Sequence, residues 1–136
     1  MAKIESRWHD NRPEPAVGTR EWFNWNEVKQ IADLLPADYR INIGLGYYAS
    51  VRIEDGAREP LTTKPGTAEL HQYDQLAAAV RQLVGELGYR LVRLTCPNHC
   101  ADQVLPRSSP DGPGLSVPVP SPCGVCGKQR EIENIN

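Results

Sequence analysis

Hydrophobic positions along the chain change period several times, and each change marks an element. In the stretch Trp22-Phe23-Asn24-Trp25-Asn26-Glu27-Val28, continuing to Leu35, the residues Trp25, Val28, Ala32 and Leu35 recur at helical spacing, with Ile31 widening the stripe. Asn24 with Glu27 has the spacing of a capping box, Phe23 and Val28 are placed for a hydrophobic staple, and Pro36 ends the helix. Over residues 40–54 the period falls to two: Ile41, Ile43, Leu45, Tyr47, Ala49, Val51 and Ile53 alternate with more polar positions. That pattern predicts extended structure, either one long strand or two strands separated by a bend near Gly44 and Gly46. Asp55-Gly56 signals a turn, residues 58–63 a short return strand, and Lys64-Pro65-Gly66 its end.

The period then returns to helical. Thr67 is the expected cap, and Leu70, Tyr73, Leu76, Ala77, Val80, Leu83, Val84 and Leu87 form an apolar stripe up to Gly88, a left-handed C-terminal cap. His71 falls on the polar face of this helix, with no metal-ligand companion at suitable spacing. Residues 89–95 read as a strand running into Cys96, with Leu91 and Val92 on opposite faces and both partly buried. Helix, strands, helix, strand is the order of a small two-layer α+β domain with a mainly antiparallel sheet and two helices. Residues 1–21, broken by Pro13, Pro15 and Gly18, read as an irregular N-terminal arm. Trp8 either ties that arm to the core or faces a partner. Trp22 and Trp25, with Phe23, are either core packing or a recognition surface.

Charge narrows the functional classes. The formal net charge is -2, and no third of the sequence is strongly basic. Non-specific nucleic-acid binding draws on phosphate neutralisation, so a near-neutral chain is a poor candidate for it. Arg90, Arg93, Arg107, Lys128 and Arg130 are the only basic side chains placed to make a patch. The start of the sequence has no apolar signal region, and no run is long enough to span a bilayer, which points to a cytoplasmic protein without a membrane partner.

In that compartment closely spaced cysteines are more often metal ligands or redox groups than disulfides. The 4 cysteines fall in two pairs, Cys96-Pro97-Asn98-His99-Cys100 and Cys123-Gly124-Val125-Cys126-Gly127, separated by a stretch containing Pro106, Pro110, Pro113, Pro118, Pro120 and Pro122. Two short-range pairs joined by a loop match a closed tetrahedral zinc site. The ligand set is either Cys96, Cys100, Cys123 and Cys126, or the same site with His99 in place of Cys100. Cys123-Gly124-Val125-Cys126-Gly127 resembles the knuckle of zinc-ribbon and rubredoxin-like modules, over about residues 94–132 only. That resemblance implies a Zn²⁺ ion and a hairpin with the cysteine turn at its tip. Residues 128–135 alternate and are expected to return as the partner strand of residues 89–95, and residues 115–119 as a short extended piece of the proline-rich loop. The chain then divides into the arm, an α+β core over 22–95, and a zinc-stapled module over 96–136 packed on that core.

Two catalytic readings compete. Cys100-Ala101-Asp102 followed by Pro122-Cys123-Gly124-Val125-Cys126 is similar to the zinc nucleobase deaminases, but Asp102 stands where their proton-shuttling Glu is required. A redox Cys123/Cys126 pair is the other, although no helix is expected after it. Four protein ligands leave no coordination position for substrate, so the metal is expected to be structural and the chain not an enzyme. The expected function is binding of another macromolecule: a protein, through Trp8, Trp22 and Trp25 or the proline-rich loop, with no small-molecule cofactor. The alternative is nucleic acid, through Arg93, Arg107, Lys128 and Arg130.

Overall fold

A computed structural model describes residues 2–9, 13–98, 102–109 and 122–136. The described residues form an α+β fold with two helices and two mainly antiparallel sheets, and the chain divides into two compact units, Met1–Leu87 and Gly88–Asn136. The boundary falls before the strand that leads to Cys96, so that strand groups with the cysteines rather than with the helices. No helix among the described residues is long and apolar enough to cross a membrane.

The N-terminal unit holds strands β1 (Lys3–Ser6), β2 (Arg40–Leu45), β3 (Ala49–Glu54) and β4 (Gly66–Ala68) in the order β1-β2-β3-β4. Helices α1 (Arg20–Leu34) and α2 (Tyr73–Glu86) supply its second layer. Residues 40–54 are two strands in a hairpin, with Ile41 opposite Ile53, Ile43 opposite Val51 and Leu45 opposite Ala49. Alternation alone does not distinguish this from one strand. The loop, Gly46-Tyr47-Tyr48, has an odd number of residues, so the apolar parity passes through the turn unbroken while Tyr47 projects fully into solvent. Ile41, Ile43, Val51 and Ile53 are fully buried, as are Val28 and Ile31 of α1 and Leu76, Val80 and Val84 of α2. The two apolar stripes read from the sequence therefore do form the core.

Several local expectations are corrected. The N-terminal arm is not irregular throughout: residues Lys3–Ser6 pair in parallel with β2, from Lys3 opposite Arg40 to Ser6 opposite Ile43. The α1 cap is Thr19, whose side chain accepts from the Trp22 amide at 3.2 Å, and not Asn24, which lies inside the helix and donates to the Arg20 carbonyl. Glu27 does not complete a capping box; it is buried and pairs with Arg81 of α2 at 2.8 Å. Thr67 does not cap α2. It sits in β4 opposite Ser50, and the chain turns at His71, with φ 71°, before the helix starts at Tyr73. His71 is exposed, as expected, but on this turn rather than on the helix. The return strand expected over 58–63 is reduced to a bridge between Glu54 and Pro60. The helix ends are as read: α1 stops before Pro36, and Gly88 follows α2 with φ 97°.

The C-terminal unit is a sheet ordered β6-β5-β7, from β5 (Arg90–Thr95), β6 (Gln103–Ser108) and β7 (Glu131–Asn134). β7 lies antiparallel to β5, as the alternation of 128–135 suggests. β6 is a strand where only a proline-rich loop was expected. Pro106 is tolerated because β6 is an edge, where a missing N–H breaks no ladder bond on the outer side. The register steps between Arg90–Ser108 and Leu91–Pro106, leaving Arg107 as the extra residue of a bulge. Leu91 and Val92 are both buried, in agreement with the reading of that strand as covered on each side. Asn136 finishes the sheet, its Oδ1 accepting from the Leu91 amide and its Nδ2 donating to the Tyr89 carbonyl, each at 2.9 Å.

Two glycines give a test of this packing. A Cβ on Gly66 would stand 3.0 Å from Ala79 Cβ and 3.3 Å from Leu83 Cδ1, whereas one on Gly44 would meet nothing within 4 Å. Gly66→Ala is expected to lower stability in urea denaturation by about 1–3 kcal/mol through overpacking of β4 on α2. Gly44→Ala is expected to be neutral, or stabilising by up to about 1 kcal/mol, because it restricts the unfolded chain without a clash.

Candidate metal centre

Three cysteines converge in the C-terminal unit. The Sγ atoms of Cys96, Cys123 and Cys126 all lie within 4.8 Å of one another, and Cys96 Sγ and Cys126 Sγ are 3.2 Å apart. None of the three is in a disulfide. Zinc–sulfur bonds of about 2.3 Å place tetrahedral sulfurs about 3.8 Å apart, so the cluster matches the size of such a site. Cys96 and Cys123 are buried and Cys126 is half-buried, which suits ligands closing around an ion rather than isolated reactive thiols.

The backbone treats the two halves alike. The Asn98 amide donates to Cys96 Sγ at 3.4 Å, and the Val125 amide donates to Cys123 Sγ at 3.4 Å, each from the residue two positions on. In the second half the turn is closed by the Gly127 amide on the Cys123 carbonyl and the Cys123 amide on the Lys128 carbonyl, each at 2.8 Å. Gly127 has φ 71°, a conformation that costs a side chain steric strain. A bridge between Pro122 and Gln129 frames this turn, and β7 follows it. Amide donors to sulfur favour thiolate over thiol. The Cys123 thiol pKa is accordingly lowered, first by the backbone of Cys126 and then by that of Val125, against burial and the Cys96 thiol, which raise it.

Cys100 and His99, the alternative fourth ligands, lie outside the described residues, as does the extended piece expected over 115–119. Asp102 occupies the place where a deaminase would carry its acid. Its Oδ1 accepts from the Cys96 amide at 3.4 Å, an anchoring contact on the ligand's own backbone. No helix follows Cys126, so the usual source of a strongly activated redox pair is missing from the described residues after it.

The expected contact residues fare unevenly. Trp8 and Trp25 are 3% and 4% exposed, which removes them as a docking surface. Their rings fill the N-terminal core: Trp8 packs edge-on against Tyr73, and His9 lies edge-on to Trp25 while its Nε2 is 2.6 Å from the Tyr73 hydroxyl. Trp22 is half-buried against Phe23. Arg93 is ion-paired with Glu133 across the β5–β7 ladder, and Arg107 donates to Asn134 Oδ1 at 2.9 Å. Lys128 is exposed beside the cysteine turn and Arg130 is half-buried after it. Val125, an aliphatic residue to which no sequence pattern points, is 78% exposed at the turn between Cys123 and Cys126. Its exposure follows from the turn geometry, which aims both neighbouring sulfurs inward.

Compared with known proteins, the chain matches no family model, no curated protein and no solved structure. The donor set itself therefore carries the chemistry. Three sulfurs, two of them with amide donors, can hold a soft or borderline divalent ion.

Gly127→Ala is expected to destabilise the turn by about 1–2 kcal/mol. The matched change Gly124→Ala, whose Cβ would meet nothing within 4 Å and whose φ is not positive, should cost less. Thermal denaturation of both variants measures the difference.

Proposed function

We propose that the chain is a zinc-stabilised interaction module that binds another protein. Zn²⁺ is held by Cys96, Cys123 and Cys126, with Cys100 or His99 as the fourth ligand. The convergence of three thiols supports this reading, since such a set in a small sheet is the makeup of a closed structural site. The ion supplies folding free energy to a unit whose sheet, among the described residues, has three short strands. With its coordination filled by protein, it offers no position for water or substrate.

Protein binding is preferred to nucleic-acid binding because of what the basic side chains already do. Arg93 is neutralised by Glu133, and Glu131, two residues earlier in β7, adds a second acidic side chain on the same face, so that face does not gather positive charge. The cysteine turn, in contrast, presents Val125 and Lys128 to solvent on a backbone fixed from beneath by the ligands. A rigid turn with an exposed aliphatic tip loses little entropy on docking, which favours a specific protein contact.

Purified protein is expected to carry zinc in equimolar amount, and Cys123→Ser to lose it together with several kcal/mol of stability. Affinity capture from the native source should retain a protein whose recovery falls at least roughly tenfold with Val125→Asp, while zinc content and melting stay unchanged. Capture that is insensitive to Val125→Asp, or retention of nucleic acid lost with Lys128→Glu, would contradict the reading.

A further inference from the structure

The hairpin of β2 and β3 has two unlike faces. Ile41, Ile43, Val51 and Ile53 are buried on the helix-bearing side. Asn42, Gly44, Ser50, Arg52 and Glu54 alternate onto the other side, where Thr67 of β4 stands opposite Ser50. That side carries a recess of about 590 Å³. Its floor is a cross-strand row of small side chains, Gly44, Ser50 and Thr67. A Cβ on Gly44 would meet nothing within 4 Å, so the space above the row is open. Tyr48, 55% exposed, lines the recess at the hairpin turn.

Two charged side chains follow along β3, and they are not paired with each other. Arg52 is exposed, with no hydrogen bond or ion pair among the described residues. Glu54 lines the same recess yet is only 8% exposed. Asn42 Nδ2 donates to its Oε1 at 3.4 Å, and its Oε2 has no partner among the described residues. Arg40, opposite Glu54 in the register, is ion-paired with Glu5 instead, at 3.2 Å. A carboxylate so deeply buried costs free energy until a cation meets it.

These two charges define a ligand. Arg52 and Glu54 stand two residues apart on one face, rooted roughly 7 Å from each other. An anion on Arg52 and a cation on Glu54, each held over a charge-assisted hydrogen bond of about 2.8 Å, then sit close together on one molecule. The α-carbon of an amino acid carries just that pair. A neutral ligand would leave both charges unanswered, and a polyanion would be repelled by Glu54. With the charged end at Arg52 and Glu54, the ligand's side chain runs over Ser50 and Gly44 toward Tyr48. That floor admits a flat ring, and it ends at an aromatic neighbour.

We propose that this recess binds a free aromatic α-amino acid, its carboxylate on Arg52, its ammonium on Glu54 and its ring over Gly44 beside Tyr48. Isothermal titration calorimetry on the full chain, with L-phenylalanine, its amide, its N-acetyl derivative and L-alanine, tests it. Phenylalanine should bind at one site per chain. The amide, which lacks the carboxylate, the N-acetyl derivative, which lacks the ammonium, and alanine, which lacks the ring, should each bind at least roughly tenfold more weakly. Arg52→Gln should weaken phenylalanine roughly tenfold and leave the amide as it was, since the lost contact is the one the amide never makes. Gly44→Val should abolish binding by filling the floor. Both variants should melt as the parent does, because Arg52 has no partner to lose and the space above Gly44 is open. No binding of phenylalanine at about 10 mM, equal binding of the amide or the N-acetyl derivative, or affinity indifferent to Arg52→Gln would overturn the proposal.

Discussion

In the C-terminal unit three sulfur atoms come together from positions up to thirty residues apart. Closing a loop of that length costs chain entropy. The sheet does part of the closing, because β6 leaves along one side of β5 and β7 returns along the other. The three sulfurs meet where the excursion starts, at Cys96, and where it ends, at Cys123 and Cys126, so a metal ion held there would tie one to the other. Amides at Asn98 and Val125 turn toward those sulfurs, so the backbone is already shaped for thiolate ligands.

The N-terminal unit is held by ordinary means. Two amphipathic helices cover one face of a twisted hairpin, and the buried residues are aliphatic with few exceptions. The exceptions are informative. Glu27 is buried because Arg81 meets it from the facing helix, a pair whose loss of either member would strand a charge. The segment after β1 is anchored by Trp8 and His9 against Trp25 and Tyr73, so aromatic side chains near the N-terminus serve packing.

Much of this was legible along the chain, and what was not has identifiable causes. The α2 stripe from Tyr73 to Val84 and the alternation of 40–54 are local patterns, and both formed the elements they imply. The return of β7 to β5 was visible because its alternation is short but clean. Strands β1 and β4 were hidden because each is brief and exists through pairing with residues distant in sequence. Thr67 illustrates the competition: it is a good helix cap, yet Gly66 allows β4 to sit on Ala79, and tertiary packing claims the residue for a strand. β6 was obscured by its proline, which an edge position permits. At the site, the cysteine spacing identified three residues that do converge, while the exposed Val125 carried no signal in sequence beyond its place in the turn.

Zinc K-edge absorption of the purified protein tests the central claim most directly. The expected result is a closed first shell of sulfur at about 2.3 Å, either all sulfur or with a single nitrogen, and no oxygen ligand. A protein without zinc, or a shell containing water oxygen, would contradict a structural ion held by Cys96, Cys123 and Cys126.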